Sequence, residues 1–272
     1  MLPIKKFYID SRFKTSSSET HSNFAIDFPI TLLMPEDTGF YIEDVCIPHS
    51  WHPINTGNNY LQVKYFNNTP KDITIDPGNY SVRDLNDAIV AKMNAAYNMG
   101  EIFAMDYNTR TNTIGIKLKT ASPGTTFKIY TDSEFTVPTN KTVSLNTMLK
   151  NFTADSFEGS EVFRSGFVDM YPLRNIYLSC SGLGNFNTMS VSGDRNIIKK
   201  IPVNAGYGDV IYYESATGLD YLDCSHQTLS RISFQLKDIY GNIIDLNGAH
   251  ISFSIVFSRV QDGSYFFLDL SI

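Results

Sequence analysis

Apolar and polar residues alternate along much of the chain. The period of two is clear in Phe24-Ala25-Ile26-Asp27-Phe28, in Tyr41-Ile42-Glu43-Asp44-Val45 and in Leu61-Gln62-Val63-Lys64-Tyr65, each bounded by Pro, Gly or Asn. Further runs of strand character lie at Ile114–Leu118, Phe127–Tyr130, Asn175–Ser179, Val210–Tyr213, Arg231–Leu236 and Ile251–Phe257. Turn chemistry at Pro77-Gly78, Tyr240-Gly241-Asn242 and Asn247-Gly248 separates them. So many short strands predict an all-β sandwich or barrel.

One segment changes period. Leu85, Ala88 with Ile89, Met93 and Ala96 recur at helical spacing, Ser81 stands at the N-cap with Asp84 in the first turn, and Asn98 to Gly100 ends the run. Its apolar stripe is a core face. Asp72–Tyr80, a strand leading into a turn, precedes this helix and delivers the chain to its N-cap. Phe103–Tyr107, a polar tip at Asn108–Asn112 and Ile114–Leu118 follow it, and Ser144–Phe152 is a candidate second short helix. The sequence therefore divides into a jelly-roll body, residues 1–59 and 153–272, and an inserted α+β unit, 60–152, with one clear helix. About eight strands of five or six residues need far fewer positions than the chain offers, so an insertion follows from arithmetic. The Ser- and Thr-rich stretch Lys14 to Asn23 is the candidate flexible arm.

Catalytic patterns are missing where they would be informative. His49 and His52 are three apart between prolines, whereas two ligands on one strand face need a spacing of two, and no His-x-His with a following Glu completes a site. Ser179-Cys180-Ser181-Gly182-Leu183-Gly184 lacks the nucleophile elbow and a third glycine. Glu43 and Asp44 face opposite sides of a strand, unsuited to paired carboxylate chemistry. Asp238 to Asp245 offers too few oxygen ligands for a calcium loop and is explained by a tight turn. These patterns imply a protein that is not an enzyme and needs no cofactor or metal. Trp51, the single tryptophan, either stacks in a partner or sugar site or closes one end of the barrel.

Composition narrows the partners. The net charge of −6 argues against direct nucleic-acid binding, and the basic pairs Lys5-Lys6 and Lys199-Lys200 are explained as solvated strand ends. Aromatic residues make up 13%, nearly all Phe and Tyr, as half-buried strands and large interfaces require. Three dispersed cysteines, Cys46, Cys180 and Cys224, fit free thiols in a reducing compartment. The start of the chain shows no secretory signal, and no apolar run is long enough to span a membrane. The sequons at Asn67, Asn140 and Asn151 carry little meaning without secretion.

Phe7-Tyr8-Ile9-Asp10-Ser11-Arg12-Phe13, then Asn23–Pro29 and Tyr41–Pro48, resemble the start of penton proteins of virophages and Polinton-like viruses. Thr74–Ser81 and Ile232–Gly241 are similar to the same family. The resemblance implies a vertical jelly roll that forms homopentamers at icosahedral vertices beside a double-jelly-roll major capsid protein. It also implies a virion location, assembly in the host cytoplasm or nucleus, and no catalytic residues. Minor capsid proteins or a host receptor are further partners on this reading. Tyr8, Ile9, Asp10, Ser11, Arg12 and Phe13 are the expected docking edge, with Trp51 as a second interaction candidate. Deleting residues 1–14 is expected to leave the barrel folded and to impair incorporation into shells. The alternative function is a receptor- or carbohydrate-binding virion module that uses residues 60–152.

Overall fold

The computed structural model describes residues 5–120, 122–151, 157–184, 188, 189, 193, 195–216 and 220–259. In chain order the strands are β1 (Lys5–Asp10), β2 (Asn23–Leu33), β3 (Thr38–Pro48), β4 (Tyr60–Tyr65), β5 (Lys71–Thr74), β6 (Phe103–Met105), β7 (Gly115–Leu118), β8 (Phe127–Ile129), β9 (Phe157–Gly159), β10 (Phe163–Arg164), β11 (Asn175–Ser181), β12 (Ile197–Pro202), β13 (Val210–Glu214), β14 (Leu222–Asp223), β15 (Thr228–Lys237) and β16 (Ser252–Arg259). The helices are α1 (Val82–Tyr97) and α2 (Asn146–Leu149).

Two compact units divide the chain, one from residues 1–51 with 173–272, the other from 52–172. The first holds two antiparallel sheets, ordered β1-β16-β3-β13, with β14 also on β3, and β12-β11-β15-β2. Lettered B to I in chain order, its eight long strands give the sheets B-I-D-G and C-H-E-F, which is the jelly-roll connectivity. The core between them is built from alternate residues. In β13, Ile211 is buried while Val210 and Tyr212 face out; in β11, Ile176, Leu178 and Cys180 are buried. Aromatic edges tie the sheets together, as where Phe234 meets Phe253 with ring centroids 4.9 Å apart.

In the second unit α1 is capped as its sequence predicts. Asp84 N–H donates to Ser81 Oγ (3.1 Å), and Asn98 closes the helix with φ 52°. Leu85, Ile89 and Met93 on its inner face are fully buried, each contributing roughly 1.5–3 kcal/mol. This unit carries the sheets β5-β4-β8-β9 and β10-β7-β6. It is wider than 60–152 on both sides. Ile54 exchanges backbone hydrogen bonds with Gly78 (3.2 and 2.9 Å), and Phe163–Arg164 pair with β7. The candidate second helix is α2, one turn long; Phe152 lies outside the described residues.

Two expectations are overturned here. The stretch Lys14 to Asn23 is not a free arm, because hydrogen bonds hold it: Thr15 N–H donates to the Ala25 carbonyl (2.8 Å), Ala25 N–H to Ser18 Oγ (2.9 Å) and Asn23 N–H to Thr20 Oγ1 (2.9 Å). Its hydroxyls serve the backbone as turn-forming acceptors, which composition alone does not distinguish from disorder. Nor is Lys199 at a solvated strand end. It sits within β12 with its side chain 6% exposed and pairs with Asp220 at 2.9 Å.

Candidate assembly surface

β1 is an edge strand, in register with β16 from Lys5 opposite Phe257 to Asp10 opposite Ser252. Alternation then assigns its side chains. Phe7 and Ile9 turn inward, Phe7 meeting Phe28 edge to face at 4.9 Å, and Ile9 is 4% exposed. Tyr8 points out and is 78% exposed. Lys6 is ion-paired with Glu43, whose hydrogen bond raises the lysine pKa, and the ammonium lies 5.1 Å from the centre of the Tyr8 ring.

Beyond β1 the chain makes a tight turn. Asp10 accepts from Arg12 N–H (2.9 Å) and from its guanidinium (3.0 Å at Nε), which holds the Asp10 carboxyl below the usual carboxylate range. Ser11 is fully buried, and Phe13 projects at 78% exposure. The six residues expected to dock thus split. Tyr8, Arg12 and Phe13 are available, Asp10 is half-buried, and Ile9 and Ser11 belong to the core.

Trp51 is not available either. It is buried in the body core, its ring 4.2 Å from that of His49. His49 is equally buried, and its Nδ1 donates to the Ala205 carbonyl (2.8 Å), which can only accept. A tryptophan in this position packs; it has no exposed face for a sugar ring. Among the described residues no group of three or more His, Cys, Asp or Glu side chains is placed to hold a metal ion, and no helix is long and apolar enough to cross a membrane.

The sequence did not single out the other exposed apolar side chains. On β2, the strand joined to β1 by residues 11–22, Ile30 and Leu33 are exposed at 57% and 69%. On the far edge of the β1 sheet, Val210 and Tyr212 of β13 are exposed at 59% and 53%. Alternation marks Leu33, Val210 and Tyr212 as outward, whereas Ile30 shares the parity of the buried Phe28 and Leu32 and is turned out where the register between β2 and β15 shifts; nothing in composition tells that these residues lie on edges. The body therefore carries apolar groups along two separate lateral margins, the pair β1 and β2 and the strand β13. Pro29 in β2 and the lysines at the start of β1 hinder open-ended strand addition at the first margin.

The comparisons agree with this architecture. No family model matches the sequence, and no curated protein does so. By fold, the chain is a single jelly roll with a large unit inserted between its third and fourth body strands, and the same fold occurs in virophage structures. The crystal structure of the selenomethionine-labelled mavirus penton protein superposes with a TM-score of 0.59 at 10% identity, over 95% of this chain and 100% of that one. A chain of the Sputnik virophage in its 3.5 Å cryo-EM structure gives 0.51 at 14% identity, over 95% and 98%. At such identities the shared property is the fold. The chain has the jelly-roll fold of a virophage penton protein.

Proposed function

We propose that this protein is a structural capsid protein, a penton subunit that forms homopentamers at the icosahedral vertices of a virion and contacts a double-jelly-roll major capsid protein. The observation that carries the proposal is the likeness to the mavirus penton protein across nearly the whole of both chains, insertion included.

The surface supports it. A closed ring is built from heterologous contacts, in which one margin of a subunit meets a different margin of its neighbour. The margin of Tyr8, Phe13, Ile30 and Leu33 and the margin of Val210 and Tyr212 are two such surfaces. An obligate interface of this kind buries on the order of 2,000 Å² or more and is rich in aromatics. The acidic net charge suits a shell component that leaves the genome to other chains. The reading places the protein in the virion, assembled in the host cytoplasm or nucleus, with no enzymatic role. Mixing purified protein with the major capsid protein and imaging the products tests it: vertex density is the expected result, and shells that never take up this chain would refute it.

A further inference from the structure

The two margins of the sheet β1-β16-β3-β13 can be compared level by level, because the ladders between its strands form continuous rows. At one end Lys5 is opposite Phe257, Phe257 opposite Phe40, and Phe40 opposite Leu222 of β14. At the other, Asp10 is opposite Ser252, Ser252 opposite Cys46, and Cys46 opposite Tyr212. Between these rows Tyr8 is level with Glu214, through Ser254 and Asp44. In a ring whose axis runs along the strands, rotation leaves levels unchanged, so each level of one margin meets the same level of the other margin on the next copy.

Charge follows these rows. From Lys5 to Lys14 the chain carries Lys5, Lys6, Arg12 and Lys14 against one carboxylate, Asp10; from Ile201 to Ser230 it carries Asp209, Glu214, Asp220 and Asp223 and no lysine or arginine. With the ion-pair partners Glu43 and Lys199 included, the first margin keeps an excess of two positive charges and the second an excess of three negative ones. The signs also match by level. Lys5 and Lys6 lie at the end where Leu222 stands between Asp220 and Asp223, while Arg12 and Lys14 continue past Asp10 at the end where Asp209 precedes β13. Between the charged ends the margins present Tyr8 and Tyr212, 78% and 53% exposed. Exposed ion pairs add little affinity by themselves, so burial of the tyrosines drives association, and the charges set its register and reject a copy presented the wrong way round.

We propose that the β1 margin of one copy docks in level register on the β13 margin of the next, with Lys5 and Lys6 against Asp220 and Asp223, Tyr8 beside Tyr212, and Arg12 and Lys14 against Asp209. This pairing rests on the ring-forming role proposed above and specifies which residues meet. Charge reversal on the full chain, read by sedimentation across a concentration series, tests it. Lys5→Glu with Lys14→Glu, and separately Asp209→Lys with Glu214→Lys, should each raise the half-assembly concentration about tenfold or more, because like charges then face each other. All four substitutions together should restore assembly. On the wild type, a zero-length carbodiimide applied to a mixture of unlabelled and isotope-labelled copies should join Lys5, Lys6 or Lys14 of one copy to Asp209, Glu214, Asp220 or Asp223 of another, and this result decides the matter if the fourfold variant fails to fold. Rings indifferent to either reversal, or intermolecular cross-links confined to other surfaces, would overturn the pairing and leave the capsid role standing. A chain that stays monomeric alone and with the major capsid protein would overturn both.

Discussion

Ser11 and Ile251 are joined by two hydrogen bonds: Ser11 N–H donates to the Ile251 carbonyl at 2.9 Å, and Ile251 N–H donates to Ser11 Oγ at 3.0 Å. They lie 240 positions apart, and both are fully buried. This link makes the N-terminal segment part of the sandwich. Replacing Ser11 with Ala leaves the buried Ile251 N–H without that acceptor and should cost about 1–3 kcal/mol, seen as a lower urea midpoint with an unchanged slope.

The same link corrects the expectation that residues 1–14 are dispensable for folding. Their removal takes Phe7 and Ile9 out of the core and exposes the edge of β16. The loss should be about 3 kcal/mol or more, on the scale of two apolar side chains. By contrast, Tyr8→Ser and Phe13→Ser should change stability by no more than about 0.5 kcal/mol, because both side chains are exposed, while reducing self-association. Thermal melting and sedimentation of the variants separate the two effects.

Trp51→Ala should be among the most damaging single substitutions, at roughly 3–5 kcal/mol, since the ring is buried against His49. Calorimetric unfolding checks this; a melting temperature equal to that of the wild type would show that the ring is not part of the core.

Stability should be flat from neutral pH to about 9 and then fall. Burial pushes the Cys180 and Cys224 thiols from an ordinary 9.0 up to about 12, and the Tyr60 and Tyr97 phenols from 10.0 up to about 12. Between the unfolded and folded values the unfolded chain has released protons that the folded chain still holds, so each step upward in pH favours unfolding. Urea titrations from pH 8 to 11 should show a declining midpoint above pH 9. A thiol reagent should meanwhile label the half-buried Cys46 in native protein well before the two buried cysteines.

Much of the fold was legible in the sequence where local signals and tertiary demands coincide. The alternation in Arg231–Leu236 places β15, and the Ser81 cap with its apolar stripe places α1; Tyr41–Val45 does lie in β3, but a bulge opposite Ser254–Ile255 breaks its period of two, so that Ile42 and Val45 are both buried. β12 escaped because Lys199 breaks the alternation at a core-facing position, although the isoleucines around it mark a strand. The two-residue strand β10 is too short to carry a period, so the extent of the second unit could not be read from pattern. Edge position was also hidden. Tyr8 and Tyr212 are merely outward residues until the order of strands in the sheet shows both at its margins.

As a penton subunit, this jelly roll is proposed to assemble into a closed ring through its lateral margins. Native mass spectrometry of the purified full-length protein across a concentration series tests it most directly. A pentamer is expected, and it should dissociate when Tyr8 and Phe13 or Val210 and Tyr212 are replaced by serine in the folded protein. A wild-type protein that stays monomeric at every concentration, and also in the presence of the major capsid protein, would contradict it.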